Sequence, residues 1–250
     1  MSAVDYGALV ADLADEEDAL DRIVDGLDAA GWATPTAVAG WDTRATIEHL
    51  AGSEALAAVA LTGPDAFAQR LAARRGNAGT PHARAEVLDR WRLERARVLG
   101  ALAAAGPQDR FPWIAGDMSA MSFATARLME TWAHGFDVAA ALGVPYPATA
   151  RLRHVAELGV RTRRFAFAAH GVPLPDGDVR VELVGPEGEA WTWGASDTDL
   201  VRGSALDFCL VVTQRRHIDD SGLLAQGEGA RQWMAVAQAF AGPPTTARRG

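Results

Sequence analysis

The segment "TARLMETWAHGFDVAAALG", residues 125–143, decides how the chain is read. Met129, Trp132, Ala133, Phe136 and Val138 give it the apolar body of a helix, and Gly143 supplies a stop. Through that body runs a polar stripe of Glu130, His134 and Asp137. Residues four apart lie one turn up on the same helical face, about 6 Å along the axis. Glu130 and His134 thus present a hard oxygen and a borderline nitrogen side by side, a pair able to converge on one metal ion. Asp137, three residues further on, stands where it can accept a hydrogen bond from the other imidazole nitrogen. The spacing alone also admits an ordinary Glu–His ion pair on a solvated face, and both readings stand at this point.

Upstream, Leu9, Leu13, Leu20, Ile23, Val24 and Leu27 recur at helical spacing and predict a helix over residues 6–30. Asp42 is the expected N-cap of a second helix, ending near Leu61 at "TGPD". A short helical piece is expected over residues 65–75 and a long one over 84–106, followed by a loop through 107–122. Helical periodicity returns over residues 149–170. The pattern then changes: Val179, Val181 and Leu183 alternate with polar residues, "GPEG" makes a turn, and Trp191 and Trp193 alternate on the return, which predicts a β-hairpin. "DLVRGSALDFCLVVTQR" reads as a helix, "LLAQG" as a short strand and "EGARQWMAVAQAF" as a final helix. The expected fold class is α+β: a helical domain over residues 1–172, a small α/β domain over 173–242, and a disordered tail over 243–250.

Composition narrows the function. With 250 residues, 49% of them hydrophobic and 22% charged, the chain can bury a sizeable core. A net charge of −8 argues against nucleic acid as a partner, because phosphate binding needs a basic face. No apolar run is long enough to span a bilayer, so no membrane partner is expected. The acidic cluster Asp12, Asp15, Glu16, Glu17 and Asp18 is unlike a signal peptide, so the expected location is cytoplasmic. The 24 basic residues are all arginine, which excludes a Schiff-base lysine. The single cysteine, Cys209, excludes an internal disulfide and a cysteine-based metal cluster; its apolar setting "LDFCLVV" predicts a buried, inert thiol.

A third ligand for the Glu130/His134 pair must come from elsewhere, and His49 is the best candidate. It sits between Ile47 and Leu50 in the second helix, and facing helices of a bundle can bring such a residue to the pair. The competing reading is a boundary histidine satisfied by a hydrogen bond. Three protein ligands would leave a coordination position open, the pattern of a catalytic site. His82, His154, His170 and His217 are read as surface or unassigned.

The segments "GWDTRATIEHLAG" and "METWAHGFDVAAALG", with "GSALDFCLVVTQR" in the C-terminal part, resemble the mycothiol-dependent maleylpyruvate isomerase family. That resemblance implies a DinB-like four-helix bundle at the N-terminus, with His49, Glu130 and His134 as ligands of a divalent metal, zinc. It implies mycothiol, a low-molecular-weight thiol, as the second cofactor and a small electrophilic molecule as substrate. In the family reaction the thiolate adds to an activated double bond, rotation follows, and elimination gives the trans isomer. The resemblance also implies an arginine near a substrate carboxylate, and it falls on Arg215, with Arg216 one register step away. "TQRRHIDDSG" departs from the isomerase's own ending, so a different substrate pocket is expected in an uncharacterised relative. Three functions follow: a metal- and thiol-dependent isomerase or transferase, a thiol-independent metal enzyme tailoring secondary metabolites, or a non-catalytic binding module. Oligomeric state is left undetermined.

Overall fold

The computed structural model describes residues 5–74, 84–114 and 116–242. The predicted tail 243–250 and His82 lie outside those residues. The chain divides into two compact units at Tyr146/Pro147.

The first unit begins with α1 (Tyr6–Asp25), capped by Asp5, whose carboxylate accepts from Ala8 N at 3.0 Å. The periodicity predicted to run to residue 30 breaks after Asp25 and resumes as the single turn α2 (Ala29–Trp32). Asp42 caps α3 (Thr43–Ala60) through Ala45 N at 2.7 Å, as expected. A cap of this kind is worth about 1 kcal/mol. Next come α4 (Pro64–Arg74) and α5 (Arg84–Ala104), then a two-residue ladder between β1 (Arg110–Phe111) and β2 (Met118–Ser119). The helix of the 125–143 segment is α6 (Ala120–Leu142), capped by Ser119 and ended by Gly143 at φ 68°, where a side chain would be strained.

The four long helices pack pairwise: α3 on α5 and on α6, α1 on α6 and on α5. Between them Leu20, Val24, Ile47, Leu50, Trp91 and Val138 form a core cluster. Tyr146 is drawn onto Gly135 of α6, and its hydroxyl donates to Glu16 of α1 at 2.6 Å.

The second unit holds α7 (Leu152–Arg161), α8 (Arg163–Ala169), β3 (Arg180–Val184), β4 (Ala190–Trp193), β5 (Leu200–Ser204), α9 (Ala205–Val212), β6 (Leu224–Gln226) and α10 (Glu228–Val236). Its sheet order is β4-β3-β5-β6, with β3 and β5 parallel and the other pairs antiparallel. The predicted hairpin is present, with Val181 opposite Trp193 and Leu183 opposite Trp191.

The helices of residues 149–170 lie in the second compact unit, where α7 packs on α9 and α8 on α10. One expectation is corrected. The stretch 199–215 is not one helix: its first part is β5, and Ser204 caps α9. β5 lies between two other strands and buries the consecutive Leu200 and Val201, so it lacks the alternation that marks a strand.

α7 and α9 approach closely because Gly159 has no side chain: a Cβ there would meet Val212 Cγ2 at 2.8 Å and Phe208 Cε1 at 3.0 Å. Gly159→Ala is expected to lose about 1–3 kcal/mol through overpacking, read from the urea midpoint.

Candidate metal centre

α3 and α6 place the predicted ligands. His49, on the second turn of α3, faces Glu130 and His134 on successive turns of α6. His49 Nε2 lies 3.7 Å from Glu130 Oε2, and His134 Nε2 lies 3.5 Å from the same oxygen. The three donor atoms all fall within 4.8 Å of one another. The two imidazole–carboxylate separations exceed ordinary hydrogen bonds and come close to the roughly 3.4 Å between neighbouring ligands held about 2.1 Å from a tetrahedral ion. The donor set, two imidazoles and a carboxylate, suits a divalent transition metal and leaves a fourth position for another ligand.

Protonation agrees with that fit. Burial pushes the Glu130 carboxyl up, but His134, His49 and the nearby Arg127 charge together hold it well below the usual carboxylate range. Burial lowers His49, reinforced by His134 and Arg127 and opposed by Glu130. The carboxylate is thus charged and the imidazole inclined to be neutral, the forms that ligate a metal. Asp137, 2% exposed, sets Oδ2 at 3.4 Å from His134 Nδ1.

Two neighbours of the triad carried no expectation. The Trp41 indole packs on His49 and His134, with ring centroids 4.9 and 5.8 Å away. One turn along the same pair of helices, buried Arg127 reaches Ser53 and donates to Glu54 Oε1 at 3.4 Å, its guanidinium 5.2 Å from the Trp113 ring centre. Glu54 and Glu17 are both 0% exposed. Their signal was available in the sequence: Glu17 continues the Leu13–Leu20–Val24 stripe, and Glu54 the Ile47–Leu50 stripe, so each carboxylate lies on a face that points into a core.

Arg215 belongs to the second unit, just beyond α9. Its backbone N–H donates to Leu210 O at 2.7 Å and its Nη1 to Thr213 O at 2.8 Å. The preceding Gln214 adopts a left-handed backbone, φ 59°, while its buried amide donates to Ala237 O at 3.2 Å. Arg216 is paired with Asp207, which separates the two arginines chemically. Cys209 is fully buried and its thiol is pushed far up by burial, as its apolar setting predicted. His154, His170 and His217 take no part in the triad.

The fold and the three converging donors define an α+β protein with a candidate metal centre in its helical unit. The model of the mycothiol maleylpyruvate isomerase N-terminal domain matches residues 13–139, and the chain belongs to that family. Uncharacterised proteins from two Mycobacterium tuberculosis strains are 46% identical to it over 255 residues, across 98% of this chain and 99% of their own. The solved mycothiol-dependent maleylpyruvate isomerase shares the fold at a TM-score of 0.58 and 13% identity, covering 99% of this chain and 98% of that one. A mutant of that enzyme matches at 0.57 and 15% identity, covering 88% and 93%. Among the described residues, no helix is long and apolar enough to cross a membrane.

The buried carboxyls make stability depend on pH. Glu17 is raised well above its ordinary value of 4.5 by burial and then by Glu54, against Arg95 and Arg127; Glu54 is raised by burial against Arg127. The folded state therefore keeps protons that the unfolded chain releases. The resulting stability is full below pH 4.5 and is lost as pH rises through the folded values. Glu17→Gln keeps the shape and removes part of that loss, so its urea midpoint should fall less steeply above pH 4.5 than the wild type's.

Proposed function

We propose that the chain is a divalent-metal-dependent enzyme that uses a mycothiol-like thiol to isomerise, or to transfer that thiol to, a small electrophilic metabolite in the cytoplasm. The observation that carries this reading is the convergence of His49, Glu130 and His134 on one point. Family membership and the shared isomerase fold support it. The pairwise packing of α1, α3, α5 and α6 is what a DinB-like four-helix bundle requires.

In this reading the three side chains hold zinc, and Asp137 accepts from His134 Nδ1 to fix the ring that ligates through Nε2. The ion, when bound, supplies Lewis acidity and keeps an external thiol ionised near neutral pH. The chain's own thiol does not substitute, since Cys209 is enclosed. Arg215 is the proposed anchor of a substrate carboxylate, for which a planar guanidinium offers paired donors.

Elemental mass spectrometry on the purified protein should find close to one metal per chain, and none in a His134→Ala variant whose fold is checked by circular dichroism. Mycothiol should bind the zinc-loaded wild type in calorimetry and not the variant; metal without thiol binding would favour the thiol-independent enzyme. Absence of metal after dialysis against zinc would refute both enzyme readings.

Arg215→Ala should retain metal and thiol binding yet lose turnover of small unsaturated carboxylates that the wild type converts. Normal turnover would remove Arg215 from the site. Cys209→Ser should change none of these readouts.

A further inference from the structure

The two histidines of the triad are not held equally. His134 is 10% exposed in its side chain, and Asp137 faces its Nδ1. His49 is 34% exposed, and among the described residues no hydrogen bond is formed by its Nδ1. A ligating imidazole without an outer partner is free to rotate about its side-chain torsions, which weakens the site it serves. What lies against His49 is Trp41: the indole is tilted 45° to it at 4.9 Å and stacked at 25° on His134 at 5.8 Å, and the two imidazoles meet edge to face at 4.8 Å.

The loop before α3 fixes that indole. Thr36 donates to Trp41 O through its N–H at 2.9 Å and its Oγ1 at 3.2 Å, and Trp41 N donates to Val38 O at 3.0 Å. Gly40, at φ 78°, makes the turn that delivers Trp41, a conformation costly for any residue with a Cβ. Asp42 then bridges to Pro35 and caps α3, so the loop is anchored to the same helix that carries His49. The spatial relation between Trp41 and His49 is therefore set within one short, rigid segment.

We propose that Trp41 is a positioning residue of the metal centre, doing for His49 by ring packing what Asp137 does for His134 by hydrogen bonding. The proposal rests on the metal reading above and deepens it. Removing the indole should leave all three ligands in place while loosening the orientation of one.

The test is zinc affinity of the full-length protein, by competition with a chromophoric chelator, together with the visible absorption of the cobalt(II) form and the melting temperature of the apo-protein. Trp41→Ala should weaken zinc binding by roughly 10- to 100-fold, the usual effect of losing an outer-shell partner, and change the cobalt spectrum. Trp41→Phe, which restores an aromatic plane, should recover most of the affinity. Trp41→Leu, which fills space without a plane and protects the fold if alanine does not, should not recover it. Unchanged zinc affinity and cobalt spectrum in folded Trp41→Ala or Trp41→Leu would overturn the proposal while leaving the metal centre standing. A wild type that binds no zinc or cobalt would overturn the metal reading, and this one with it.

Discussion

Everything in the candidate centre depends on how α3 seats against α6. The two helices run in opposite directions: stepping from His49 to Ser53 and Glu54 on one corresponds to stepping back from Glu130 to Arg127 on the other. Rotating α3 by one residue turns its face by about 100° and would carry His49 out of reach of Glu130. The buried Arg127–Glu54 pair therefore does more than contribute stability. Each half of that pair is costly to bury without the other, so any slip of α3 along α6 that separates them is penalised, and the slip that would dismantle the triad is one of these.

The same helices show that burial by itself does not set the state of a carboxylate. Glu130 lies between two imidazoles and near a guanidinium, and those partners outweigh its desolvation. Glu17 is buried more completely, and among the described residues nothing hydrogen-bonds its oxygens, so desolvation prevails and its pKa is raised well above the ordinary value. One layer of the helical unit thus holds a charged carboxylate suited to a cation, and another holds Glu17, a carboxyl shifted toward neutrality. The difference comes from the partners beside each group: Glu130 has His134 and Arg127 on its own helix and His49 across from it, whereas Glu17 faces a second carboxyl, Glu54.

Local signals made much of this legible in the sequence. Asp42 as a cap, Gly143 as a stop, the Glu130/His134/Asp137 stripe and the tryptophan hairpin all depend on residues within a few positions of one another. What escaped was non-local. β5 could not be told from a helix because a strand between two others buries successive residues and loses its alternation. The grouping of α7 with α9 depends on Gly159 meeting Phe208 and Val212, about fifty positions away along the chain. Trp41 lies within a segment that resembles the family, yet only the folded loop brings its ring against the two histidines. Glu17 sits within an acidic run, although its place on the apolar stripe of α1 marks it as buried.

The enclosure of Cys209 has a chemical consequence for the molecule as a whole. With its only thiol sealed in an apolar core and no lysine anywhere in the sequence, the protein offers an electrophile neither an accessible thiolate nor a lysine amine. Compounds that inactivate enzymes by alkylating an exposed cysteine thiol find none here. Whatever nucleophilic sulfur chemistry it hosts must be brought in from solution and can leave again with the product, so the polypeptide itself is not consumed.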